Sequence, residues 1–190
     1  STIDAGDGFY NQDSTSEDIE KAGPFNGHPL TGPVYIRDAA PGDVLAIKIV
    51  AMEIASTFGW TAMKPGPGLL PANELPGAYL QIWDLSDGTH ARMRQRKDIA
   101  VPVASFPGVM GNALAEAGSH STIPPRATGG NMDNKHLTVG STLYLPIQGT
   151  IGPLTKRRNA HVSDITLHAR TYRFDTNDFA QEFHIERFRR

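Results

Sequence analysis

The sequence contains no cysteine among its 190 residues. Disulfides, thiol nucleophiles and cysteine-ligated metal sites are therefore excluded. No apolar run approaches the roughly 20 residues that a membrane-spanning helix needs. The first residues lack the basic start and apolar stretch of a signal peptide. We therefore expect a cytoplasmic protein without a membrane partner.

Charge and sequence signatures narrow the possible functions further. The formal net charge is −2, which argues against a dedicated nucleic-acid binder, so we expect no nucleic-acid partner. The sequence has no G-x-S-x-G elbow, no P-loop, no G-x-G-x-x-G fingerprint and no H-E-x-x-H pair. The function of this protein therefore does not depend on any of these common catalytic or nucleotide-binding motifs.

Turn-forming residues are abundant, with 19 glycines and 14 prolines, too many for a helical bundle. Apolar, β-branched and aromatic content predicts five strands and a short one at residues 34–36. The five lie at Val44–Ile54 and at residues 79–85, 99–103, 142–147 and 165–174. Val44–Ile54 is apolar on both faces, which is typical of a strand buried on both sides.

Helical signals are few. Ser16 and Asn112 are suitable N-caps for short helices over residues 16–22 and 112–118. Residues 179–188 are ambiguous between helix and strand. The sequence therefore predicts a mainly β protein with a few short helices.

The densest polar segment covers residues 128–136, where Gly129 and Gly130 precede Asn131, Asp133 and His136. Asp133 can bind a metal or act as a base, Asn131 can hold a substrate carbonyl, and His136 can act as a ligand or acid/base. The alternative is a polar turn before the strand at Thr142, with Asp133 bonded to backbone amides. Composition alone favours the turn.

Two other polar groups are weaker candidates. Asp4, Asp7 and Asp13 lie among glycines, as hard-cation ligands can, but their spacing is not that of an EF-hand. A solvated acidic loop is the favoured interpretation. Basic residues also cluster within residues 92–97, where a charged sheet edge is favoured over a phosphate site. The seven histidines are scattered, and each is better interpreted as an ordinary residue than as a ligand.

Several motifs in chain order resemble the acetamidase/formamidase family, and they cover most of residues 3–148. They are LTGPVYI at 30–36, APGDVL at 40–45, GWTA at 59–62, PGPGLLP at 65–71, IWDL at 82–85, FPGVMG at 106–111, IPPR at 123–126, GGNMD at 129–133 and YLP at 144–146.

The resemblance implies a single acetamidase/formamidase-like domain over residues 1–190. Its fold would be mainly β, in the α+β class, with sandwich-like or barrel-like sheets and a few short helices. It also implies an amidohydrolase that cleaves the C–N bond of small linear amides to a carboxylate and ammonia, and a homo-oligomer. It further implies a divalent metal, zinc or calcium, with Asp4 and Asp133 as its ligands.

The chemistry of amide cleavage suits these residues. An amide is a poor electrophile, so water must be activated, the carbonyl polarised and the leaving nitrogen protonated. Asp133 and Asn131 are the candidate catalytic residues. Asn131 and the backbone N–H groups of Gly129 and Gly130 are the candidate oxyanion and substrate-binding groups.

The sequence also departs from the family pattern. A segment rich in Gly, Asp, His and Glu follows the matching strand in the family, whereas here Gln148 is followed at once by Gly149. We expect a chain break near Gln148, and residues 151–190 resemble the family only weakly. Two further interpretations stay open: a truncated, non-catalytic relative serving as a binding or oligomerisation module, and a divergent esterase or lactamase.

Overall fold

The computed structural model describes residues 9–23, 27–28, 30–34, 36, 39–54, 56–66, 70–148, 165–171, 174–176 and 179–188. Its elements in chain order are α1 (Asp18–Lys21), β1 (Thr31–Val34), β2 (Val44–Ile54), β3 (Phe58–Met63), a 3₁₀ turn (Ala72–Glu74), β4 (Tyr79–Asp84), β5 (His90–Met93), β6 (Ala100–Pro102), β7 (Ser105–Gly111), β8 (Gly129–Asn131), β9 (Thr142–Pro146), β10 (Ile165–Thr171), β11 (Phe174–Thr176) and β12 (Phe179–Phe188).

The strands of the described residues form two antiparallel sheets. The larger sheet has nine strands in the order β6-β5-β4-β3-β11-β10-β7-β8, with β1 also paired to β10. The smaller sheet has the order β12-β2-β9. The prediction of a mainly β fold is confirmed, because α1 is four residues long and is the only α-helix in the described ranges. No helix within those ranges is long and apolar enough to cross a bilayer.

The two sheets share a core. Leu45 and Ile47 of β2 and Leu145 of β9 pack with Met110 of β7 in one buried cluster. Burial of each such side chain typically stabilises a fold by about 1.5–3 kcal/mol. This cluster holds the small sheet against β7, and thereby fixes the position of β8, which pairs with β7.

A second cluster attaches the chain's early segment to the large sheet. Tyr10 and Ile19 pack against Leu80 and Ile82 of β4. The Ser16 hydroxyl also accepts a hydrogen bond from the backbone N–H of Leu80 at 3.0 Å. The predicted helix at residues 16–22 is thus confirmed in shortened form as α1, with Ile19 on its buried face. The prediction that Ser16 is its N-cap is wrong, because Glu17 occupies the N-cap position and the Ser16 hydroxyl bonds to β4.

The strands predicted at Val44–Ile54, 79–85, 99–103 and 142–147 are confirmed within two residues at each end. The segment predicted at residues 165–174 forms two strands, β10 and β11, which pair with each other as a hairpin. The strand predicted at 34–36 lies earlier, at Thr31–Val34. The ambiguous residues 179–188 form β12, which pairs with β2 along its whole length.

The predicted helix at residues 112–118 is wrong. Asn112 does not cap a helix, because its backbone N–H donates to Thr128 O at 3.0 Å and its side-chain Nδ2 donates to Pro146 O at 3.1 Å. The first bond extends the pairing of β7 with the chain before β8, and the second joins the end of β7 to β9 of the smaller sheet.

Candidate functional site

Strand β8 carries the polar segment that the sequence singled out. Gly129 has φ 94° and an added Cβ would lie 2.3 Å from Met110 O, so only glycine permits β8 to approach β7 this closely. Its N–H donates to Arg126 O at 3.0 Å, and its carbonyl accepts from Arg126 N–H at 2.7 Å. The Gly129 N–H predicted to stabilise an oxyanion is therefore engaged in this tight turn.

Asn131 ends β8 opposite Val109 and is half-buried. Its side-chain Nδ2 donates to Ile123 O at 2.8 Å. Its Oδ1 is buried and has no hydrogen-bond partner within the described part of the chain. Buried acceptors are rarely left without a donor, because the lost hydration is costly. This carboxamide is therefore a candidate binding group.

Asp133 follows β8 and is exposed. Its backbone adopts φ 44°, a left-handed conformation that Asp tolerates better than most residues. The N–H groups of Met132 and Asp133 both donate to Gly108 O, at 3.1 and 3.0 Å. The sharp bend that these bonds create places the Asp133 carboxylate at the surface, two residues after Asn131.

His136, also flagged by the sequence, lies in a turn. It is exposed, and its N–H donates to the Asn134 side-chain Oδ1 at 3.0 Å. The two interpretations of residues 128–136, a polar functional site and a polar turn, therefore each describe half of the segment. Its first half is a strand with the Asn131 carboxamide at its end, and its second half is a polar turn.

Sequence reasoning missed a pair of residues beside this site. The segment of residues 121–126, here called the strap, includes Thr122, whose Oγ1 accepts the backbone N–H of His28 at 2.6 Å and lies 3.2 Å from its Nδ1. Gly27 has φ 114° and an added Cβ would lie 2.8 Å from Thr122 Oγ1. The signal available in the sequence was position, because Thr122 directly precedes the motif at 123–126 and His28 lies two residues before the motif at 30–36.

Further bonds hold the strap in place. Arg126 Nη1 donates to Ser121 O at 2.7 Å and to Pro124 O at 3.2 Å. An added Cβ on Gly130 would lie 3.4 Å from Pro124 O, so the strap lies directly against β8. Most of its side chains are exposed, and Ile123 is 48% exposed. The strap is therefore held to Asn131 mainly by polar contacts.

The basic cluster at residues 92–97 is engaged in local contacts. Arg92 pairs with Asp87 at 3.2 Å and Arg96 with Asp98 at 2.7 Å. Backbone N–H groups of His90 and Thr89 hold the pKa of Asp87 well below its usual range. Arg94 donates to Ser14 O at 3.0 Å. These contacts favour a structural role beside the sheet edge formed by β6.

The acetamidase/formamidase family profile matches residues 1–117. The chain belongs to the acetamidase/formamidase family. It is 24% identical over 200 residues to a formamidase of Methylophilus methylotrophus, covering 78% of this chain and 49% of the relative. It is 25% identical over 199 residues to an acetamidase of Mycolicibacterium smegmatis, covering 74% and 49%. The chain thus spans about half the length of these curated relatives.

Solved structures share the fold of this acetamidase/formamidase-family chain. A predicted acetamidase/formamidase from Thermoanaerobacter tengcongensis superposes with a TM-score of 0.71 at 25% identity, covering 98% of this chain and 58% of that one. A gamma lactamase from Delftia acidovorans gives a TM-score of 0.79 at 18% identity, with coverages of 98% and 58%. Both likenesses extend over β10–β12, where motif resemblance is weak.

Two predictions concern residues that the structure of this family member does not describe. The first is that Asp4 is a metal ligand. The second is a chain break after Gln148, which involves Gly149. In the parts of the chain that are described, no three His, Asp or Glu residues are grouped as a metal site. Asp133 is therefore not part of such a group among the described residues.

Proposed function

We propose that this acetamidase/formamidase-family chain hydrolyses small linear amides of the formamide and acetamide type to a carboxylate and ammonia. Relatives named formamidase and acetamidase support this activity. The observation that carries the proposal is the end of β8. There the Asn131 Oδ1, which has no hydrogen-bond partner among the described residues, and the exposed Asp133 carboxylate lie two residues apart in the chain.

In this proposal, each residue has a defined role. The Asp133 carboxylate accepts a proton from a water molecule as that water attacks the amide carbon. The N–H of Asn131 Nδ2 that is not used by Ile123 donates to the carbonyl oxygen, which becomes negatively charged in the tetrahedral intermediate. The proton on Asp133 then passes to the amide nitrogen, and the C–N bond breaks to release ammonia.

Release of ammonia tests this function directly. Purified chain is incubated with formamide or acetamide, and ammonia is measured against a heat-denatured sample. We expect enzyme-dependent release from both amides. Folded chain that releases no ammonia from either amide would favour the alternative, a non-catalytic binding or oligomerisation module.

We propose separately that Asp4 and Asp133 bind a divalent metal ion, either zinc or calcium. Carboxylates are suitable ligands for either ion. Elemental analysis of the purified protein, before and after Asp133→Asn, tests it. About one ion per chain that is lost in the variant would support the proposal, and unchanged metal content would contradict it.

We also propose a cytoplasmic homo-oligomer that has a small amide substrate and no nucleic-acid or membrane partner. The net charge of −2 supports the absence of a nucleic-acid partner. Light scattering of the purified chain measures the mass in solution, and a 20.6 kDa monomer would contradict the oligomer.

A further inference from the structure

The side chain of Arg126 binds the backbone of the strap to which it belongs. Its Nη1 donates to Ser121 O at 2.7 Å and to Pro124 O at 3.2 Å. Within the described part of the chain, no Asp or Glu pairs with this guanidinium. A guanidinium holds its N–H groups in a rigid plane and thereby fixes the spacing of the acceptors that it binds. Arg126 therefore acts on the shape of the strap.

The two carbonyls that Arg126 binds lie on either side of Ile123. Pro124 and Pro125 carry no N–H, so this part of the strap has few backbone donors with which to hold itself. Arg126 is itself fixed by two backbone hydrogen bonds with Gly129, at 2.7 and 3.0 Å. The arginine thus connects a fixed turn to the backbone around Ile123.

The Ile123 carbonyl selects one of two orientations of the Asn131 carboxamide. Rotation by a half-turn about the last side-chain bond exchanges Nδ2 and Oδ1 and leaves the shape of the amide unchanged. A carbonyl oxygen can only accept, so Ile123 O binds Nδ2, at 2.8 Å, and excludes the exchanged orientation. The same bond fixes the direction of the second Nδ2–H, which is the donor to the substrate carbonyl in the proposed function.

We infer that Arg126 is a positioning residue for Asn131. By holding the carbonyls of Ser121 and Pro124, it keeps the Ile123 carbonyl where Nδ2 binds it, and so keeps the carboxamide in one orientation. Without the guanidinium, the strap loses two hydrogen bonds from a charged donor. The effect of Arg126 on the reaction rate rests on the proposed function, whereas its effect on the orientation of Asn131 does not.

Solvent exchange of the Asn131 side-chain NH₂ protons tests this role. The signals are assigned in ¹H–¹⁵N spectra of the labelled chain through the backbone amide of Asn131. In the parent, we expect the proton bound to Ile123 O to exchange more slowly than the second proton. In Arg126→Gln, that exchange should be about tenfold faster or more, because the strap has lost both bonds. Arg126→Lys keeps a charged donor and should lie between the two.

Arg96→Gln is the matched control. Arg96 is exposed and pairs with Asp98 at 2.7 Å, so its removal should leave the exchange at Asn131 as in the parent. Unchanged exchange in folded Arg126→Gln, or an equal change in Arg96→Gln, would overturn the inference. A parent in which both Asn131 protons exchange equally fast would also overturn it, and that measurement does not require any variant to fold.

Steady-state kinetics separates positioning from stability. The second Nδ2–H binds most strongly to the transition state, where the carbonyl oxygen is negatively charged. We therefore expect Arg126→Gln to lower kcat for ammonia release from acetamide about tenfold and to change KM much less. Complete loss of such a donor costs about 10²–10³-fold. Faster exchange at Asn131 combined with a parental kcat would overturn the role of Arg126 in the reaction.

The two measurements distinguish this inference from the proposed function. A parent that releases no ammonia contradicts the function, and the exchange rates then still decide whether Arg126 orients Asn131. Ammonia release by the parent, together with unchanged exchange in folded Arg126→Gln, supports the function and overturns the inference.

Discussion

At the residue scale, Gly129 is required by two separate constraints. Its φ of 94° disfavours any L side chain, and an added Cβ would lie 2.3 Å from the Met110 carbonyl oxygen. We expect Gly129→Ala to lower the free energy of unfolding by about 3 kcal/mol or more, from backbone strain and overpacking together. Chemical denaturation measures the loss.

Gly140 supplies the matched control for this substitution. It has a similar φ of 92°, but an added Cβ would meet no atom within 4 Å. Gly140→Ala should therefore cost only about 1–2 kcal/mol, the backbone part alone. Equal losses in the two variants would show that the contact with β7 is unimportant.

Thr122 is the residue on which the strap's attachment to His28 depends. His28 is buried, and its N–H donates to Thr122 Oγ1 at 2.6 Å. Thr122→Val keeps the shape but leaves that N–H without its acceptor, so we expect a loss of about 1–3 kcal/mol in unfolding free energy. Thr122→Ser keeps the hydroxyl and should lose clearly less. A valine variant as stable as the serine variant would contradict this account.

The candidate site was only partly accessible to sequence reasoning. Asn131 and Asp133 were identified because they stand in a glycine-flanked polar segment. Thr122 and His28 were missed because they are 94 positions apart and meet only through the fold. That Asn131 Oδ1 is buried without a hydrogen-bond partner in the described part of the chain is likewise a property of packing, and no local sequence pattern predicts it.

At the scale of elements, β2, β4 and β9 were predicted because their apolar residues alternate or run continuously. Strands β7 and β8 were missed, since Pro107, Gly108 and the Gly129–Gly130 pair indicate turns when they are considered alone. Their extended form depends on pairing between segments distant in sequence. The false helix at 112–118 has the same origin, because Asn112 bonds to distant strands.

The short helix α1 depends on packing for its stability. A four-residue helix is too short to persist alone, and its Ile19 is fully buried against β4. Ile19→Ala should lower the unfolding free energy by about 2–5 kcal/mol through the cavity it leaves. Ile99 is 39% exposed, so Ile99→Ala should cost much less. Similar losses in a denaturant titration would contradict the packing role of α1.

At the scale of the whole molecule, the segment that resembles the family least is part of the sheets. Backbone pairing places β10 between β7 and β11 in the large sheet and β12 beside β2 in the small one. The solved relatives cover 98% of the chain. The fold therefore includes the later residues even though the family profile ends at residue 117.

In the proposed function, amide hydrolysis takes place at the end of β8 through the Asp133 carboxylate. The rate constant kcat for ammonia release from acetamide, measured for the parent, for Asp133→Asn and for Asp98→Asn, tests this role. Asp98 is an exposed carboxylate paired with Arg96 and serves as the control. We predict a loss of about 10²–10⁴-fold in kcat for Asp133→Asn, the usual contribution of a general base, and a parental rate for Asp98→Asn. A near-parental rate in folded Asp133→Asn would contradict the claim.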